Sequence, residues 1–138
     1  MGDIIEKSME LKTDSAEEKN TKIEERRTVS SLAAALGAQW LVEGEKDRPI
    51  ETGYVCDLLS WAMARLPEGA AWLTVMGNLN AVAVCSLKDG ACILLTDNAP
   101  FDENAKARAE IEGIPILRVE AGAYETALRL GAFLEETP

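Results

Sequence analysis

A chain of 138 residues and 14.9 kDa has the length of one domain, and a domain of that size buries a core without disulfide or metal staples. Its composition, 47% hydrophobic and 28% charged, is that of a globular protein. The net charge of −10 repels nucleic-acid phosphates and anionic membrane surfaces, and the absence of histidine removes the commonest general base, Ser-His and Cys-His catalysis and most zinc sites.

Residues 1–27 carry both signs of charge and few apolar residues, among them Ile4, Ile5, Met9 and Leu11. A flexible charged N-terminal arm is expected there, with a docking helix for a protein partner as the alternative. Early acidic residues and the lack of an apolar run speak against a secretory signal, and no window reaches membrane-span length. The globular domain is expected over 28–138.

Thr28 is a candidate N-cap, followed by Val29, Leu32, Ala33 and Leu36 at helical spacing and by Gly37 as a stop. Gln39 to Val42 reads as a short strand. Asp47-Arg48-Pro49-Ile50-Glu51-Thr52-Gly53-Tyr54-Val55-Cys56-Asp57 then brings the polar and special-backbone residues together, with a tight turn at Thr52-Gly53. Asp57 is placed to cap a helix running to about Leu66, ended by Pro67 and Gly69. Ala71 to Met76 is an apolar run of strand length, and Gly77-Asn78-Leu79-Asn80 is a turn.

Ala81 to Leu87 is ambiguous, because its valines favour a strand. Its place between two runs that look like buried parallel strands makes it a helix. Ala91 to Thr96 is the next strand. A helix is expected from about Asp102 to Glu112, a strand over 114–119 and a last helix from about Tyr124 to Leu134, with Thr126, Leu130 and Phe133 or Leu134 on shared faces. Strands alternating with helices of this length imply an α/β fold: a single small domain with a mainly parallel sheet, right-handed crossovers and helices on both faces. Cys56, Cys85 and Cys92 each sit in an apolar run, so buried, reduced thiols in a cytoplasmic protein are expected.

Seven residues form the candidate ligand site: Asp47, Arg48, Thr52, Gly53, Asp57, Asn78 and Asn80. Arg48 can fork onto a carboxylate or phosphate while Asp47 orients it; alternatively the pair only fixes the loop. Gly53 can adopt a positive φ or admit a close neighbour. Asp57 is first a helix cap and only second a catalytic acid. Ligands of open α/β sheets bind at the carboxyl ends of strands, so the Asp57 and Asn78–Asn80 turns would share a crevice if their strands are neighbours. Trp40, Trp61 and Trp72 read as core or interface anchors, and an exposed Trp61 would suit a dimer contact. No P-loop, dinucleotide fingerprint, nucleophile elbow or metal-ligand spacing occurs, so no cofactor and no metal are implied.

As an ordered set, Asp47-Arg48, Thr52-Gly53-Tyr54-Val55 and Asp57-Leu58-Leu59-Ser60 resemble the signature of the DRTGG domain. So do Trp72 to Met76 with Asn78 to Val84, and Glu112 to Leu117 with Tyr124-Glu125. Tyr54 stands where a second glycine would follow Gly53. The resemblance covers about residues 28 to 134. It implies a small α/β module similar to the N-terminal domain of HPr kinase/phosphorylase. Such modules occur alone or joined to CBS-domain inorganic pyrophosphatases and phosphate acetyltransferases. They are taken to be regulatory and often dimeric, and stand-alone copies suggest an anaerobic bacterial setting, some beside iron hydrogenase genes. The expected function is a non-catalytic regulatory or ligand-sensing homodimer with a small anionic or nucleotide ligand. An adaptor that recruits a metabolic or redox enzyme is the alternative, and a small phosphate-handling enzyme is a third reading.

Overall fold

A computed structural model describes residues 27–136; apart from Arg27, the expected arm lies outside them. Helix α1 (Val29–Leu36) starts where the Thr28 side chain accepts from the Ser31 amide, at 3.1 Å, and stops at Gly37 with φ 61°. Strands β1 (Gln39–Val42) and β2 (Thr52–Val55) follow. Then come α2 (Leu59–Arg65), β3 (Ala70–Thr74), α3 (Leu79–Leu87), β4 (Cys92–Leu95), α4 (Glu103–Glu112), β5 (Ile116–Arg118) and α5 (Ala123–Glu136).

The strands form one sheet in the order β1-β5-β4-β3-β2. Strands β2 to β5 are parallel, and β1 is antiparallel to β5. Both faces of the sheet are covered, which is why β3 and β4 read as unbroken apolar runs. Successive side chains point to opposite faces. Ala70, Trp72, Ile93 and Leu95 therefore enter one core, with Ala62 of α2, Val82 of α3 and Ala105 of α4. Ala71, Leu73, Cys92 and Leu94 enter the other, with Val29 and Leu32 of α1 and Leu130 of α5. The valine-rich segment is helical because Asn78 caps it, accepting from the Ala81 amide at 2.9 Å, and because its residues fill the first core.

Several elements differ from expectation. Thr52-Gly53 is not a turn but the start of β2, pairing in register with Ala70 and Ala71. The strand expected over 114–119 shortens to Ile116–Arg118. The connections have one consequence for function. Helices α2, α3 and α4 link neighbouring parallel strands on one face, whereas β5 leads into α5 on the other. The chain leaving β4 and that leaving β5 therefore reach helices on opposite faces, while the two loops stay joined by the Asp97 amide on the Ala121 carbonyl and the Asn98 amide on the Val119 carbonyl.

Candidate functional site

Asp57 follows β2, yet its carboxylate does not serve its own helix. Leu58 occupies the N-cap position of α2 and makes no side-chain cap bond. Asp57 Oδ1 instead accepts from Thr74 Oγ1 at 2.8 Å and from the Val75 amide at 2.9 Å. The expected cap is thus a clamp between the ends of two strands. Beside it, Trp72 Nε1 donates to the Cys56 carbonyl at 2.9 Å, and the Met76 amide donates to Thr74 Oγ1 at 3.2 Å. The result is a hydrogen-bonded junction at the carboxyl ends of β2 and β3.

Gly53 lies inside β2 and has no positive φ. What requires glycine is space. A Cβ there would stand 2.5 Å from Leu130 Cδ2 of α5. The close neighbour is the protein's own helix.

Arg48 does not pair with Asp47, which is exposed. Its Nη1 donates to Asp89 Oδ1 at 2.8 Å and its Nη2 to the Asp89 carbonyl at 2.6 Å. Asp89 sits in the left-handed region at φ 57°, just past α3, so the arginine pins an unusual turn. The hydrogen bond from the guanidinium holds the Asp89 carboxyl below the usual carboxylate range.

Six of the seven candidate residues therefore fall at two ends of the sheet, with Gly53 inside β2. Asp47, Arg48 and Thr52 lie where the parallel strands begin, while Asp57, Asn78 and Asn80 lie where β2 and β3 finish. Since β2 and β3 are neighbours, Asp57 and Asn78 do share an end of the sheet. Asn78 is committed to its cap, and Asn80 is exposed on the first turn of α3.

Around this junction the surface is apolar. Val55, Leu58 and Trp61 are 50%, 58% and 49% exposed, and Met63, Val75 and Leu79 are exposed as well. The Arg65 guanidinium stacks 4.1 Å from the Trp61 ring centroid. Helix α2 turns Leu59, Ala62 and Leu66 toward the core, and Leu58, Trp61 and Arg65 are exposed along it together with Ser60, Met63 and Ala64. Sequence reasoning found Trp61 alone. The spacing 58, 61, 65 against 59, 62, 66 was the signal for the rest. Among the described residues, β2 is moreover the edge strand of the sheet.

Cys56 is half-buried rather than buried, and its Sγ lies 3.5 Å from the Leu58 amide. Burial pushes the Cys85 thiol up to about 12 and raises that of Cys92 further, so both are inert.

The family model of the DRTGG domain matches residues 31–133. No curated protein matches the chain in sequence. Among solved structures, the chain is similar to the CBS and DRTGG domains of the regulatory region of Clostridium perfringens pyrophosphatase, complexed with its activator diadenosine tetraphosphate. The TM-score is 0.66 at 10% identity, covering 86% of this chain and 53% of that one. The chain thus spans about half the length of that structure.

Proposed function

The chain belongs to the DRTGG domain family, and from that premise we propose that it is a non-catalytic regulatory module that senses a small anionic or nucleotide ligand and works as a homodimer. One observation carries the reading. The polar residues of the signature hold the fold together, while the apolar ones beside them face outward. Asp57 bonds Thr74 and Val75, Arg48 bonds Asp89, and Asn78 caps α3. Val55, Leu58 and Trp61 are exposed. That arrangement suits recognition better than chemistry.

The second copy is the partner that fits this surface. Two chains of charge −10 repel over most of their area and can meet where charge is sparse. The outward face of α2 offers an aromatic anchor and a stacked arginine, the residue types enriched in interface cores. The free thiols support a reducing, cytoplasmic setting. Among the described residues no helix is long and apolar enough to cross a membrane.

For the sensing half, support comes from the similar regulatory region, whose complex holds a nucleotide activator. A thermal-shift screen with nucleotides, diadenosine polyphosphates and acidic metabolites tests it. A true ligand at 100 times its dissociation constant stabilises the fold by about 2.7 kcal/mol. A flat screen overturns the sensing reading.

A further inference from the structure

The parallel strands carry one topological switch, and it is not at the signature. The β4 loop leads to α4 on one face and the β5 loop leads to α5 on the other. In open α/β sheets ligands sit at the carboxyl ends of the strands beside such a switch. Here the two loops stay joined, Asp97 N donating to the Ala121 carbonyl at 2.8 Å and Asn98 N to the Val119 carbonyl at 2.9 Å. The open space lies beside them, toward β1 and the ends of α1 and α5. A cavity of about 350 Å³ lies there, within the size range of small-molecule sites.

Its walls come from the end of α1, the start of β1, the end of β5 with the loop after it, α5, and Asn98 of the β4 loop. They include Gln39, Asn98, Arg118, Glu120 and Arg129. Arg118 is fixed on neutral oxygens: Nε and Nη2 donate to Gln39 Oε1 at 3.2 and 3.0 Å, and Nη1 to the Ala99 carbonyl at 3.3 Å. Arg129 Nη2 donates to the Ala35 carbonyl at 3.0 Å, across α1 and α5. Among the described residues the ion pairs are Lys46–Glu43, Arg48–Asp89 and Arg108–Glu112, so neither guanidinium of the crevice is neutralised. In a chain of charge −10, two arginines held on neutral oxygens along one cavity are conspicuous.

From this we infer that the crevice at the carboxyl end of β5, between the start of β1 and α5, binds a compact organic anion through Arg118 and Arg129. The inference rests on the sensing half of the reading above and gives it a place and a chemical class. A planar guanidinium matches the two oxygens of a carboxylate or phosphate. Gln39 and Asn98 bring amides to the same cavity for hydroxyl or carbonyl oxygens. Glu120 is the carboxylate on the wall and favours a ligand that also offers a donor. No aromatic side chain lines the cavity, so a base would find nothing to stack on, and the anionic group is what the crevice reads.

Isothermal titration of the full chain with inorganic phosphate, citrate and AMP tests the site. Phosphate against citrate separates the two anion chemistries, and AMP against phosphate reads any nucleoside contribution. At least one probe binds wild type, with affinity that falls as salt rises. Arg129→Gln weakens it about tenfold or more, and Arg129→Lys retains part of the affinity. Arg118→Gln has the same effect where it folds; the exposed Arg129 keeps the test decisive where it does not, with circular dichroism checking both. A probe that binds wild type and both variants alike overturns the crevice and leaves the sensing reading standing. Wild type binding none of the three also overturns it, whereas the broader thermal screen decides separately whether the module senses anything.

Discussion

Asp57 accepts a hydrogen bond from Thr74 at 2.8 Å, joining the end of the edge strand β2 to that of its neighbour β3. The same oxygen takes the Val75 amide. Asp57→Ala leaves both donors without that partner and costs about 1–3 kcal/mol in urea denaturation. Asp57→Asn keeps an acceptor oxygen and costs less. In a double-mutant cycle, Asp57→Ala and Thr74→Val couple by at least about 0.5 kcal/mol. Strict additivity contradicts the clamp.

Gly53 and Leu130 make a second pair that can be tested in isolation. The Cβ of Gly53→Ala meets Leu130 Cδ2 at 2.5 Å, and overpacking of this kind costs about 1–3 kcal/mol. In a Leu130→Ala background most of that cost disappears. If it persists there, strain in the β2 backbone and not the α5 contact is what demands glycine.

Arg48 and Asp89 give a pH signature. The Asp89 carboxyl is held below its ordinary value, so the unfolded chain binds its proton first as pH falls. The stabilisation is present in full above about pH 4 and is lost as pH falls through the lower folded value. Asp89→Asn tests the charge alone. Asparagine tolerates the left-handed backbone, and the bond from Arg48 to the residue 89 carbonyl remains. Because the side chain is largely exposed, the variant loses less than about 1 kcal/mol at neutral pH. Urea melts of the two proteins converge in acid. A gap that stays constant to the lowest pH contradicts the charge interaction.

Much of the fold was legible because it is written locally. Thr28 and Gly37 bracket α1, and buried strands β3 and β4 are unbroken apolar runs. The valine-rich α3 needed topology as well as propensity, since a helix must link two parallel strands there. The site was less legible, because its residues are defined by partners distant in sequence. Asp57 next to an apolar helix looks like a cap, and nothing local shows Thr74 waiting at the end of a neighbouring strand. Gly53 looks like a turn because the side chain that excludes a Cβ, Leu130, belongs to the last helix. Arg118 and Arg129 read as ordinary strand and helix residues until α5 is seen to cross to the other face. Only then do they meet in one crevice.

The central claim, that the signature region serves recognition through an exposed face of α2, is tested most directly by the mass in solution. Multi-angle light scattering of wild type and Trp61→Glu makes the measurement, with circular dichroism confirming that both fold. Trp61 is half-exposed, lies outside both core clusters and stacks on Arg65, so its replacement spares the core. The account predicts twice the 14.9 kDa chain mass for wild type and the single chain mass for Trp61→Glu. A wild type that stays at the single mass across concentration, or a Trp61→Glu variant that remains dimeric, contradicts it.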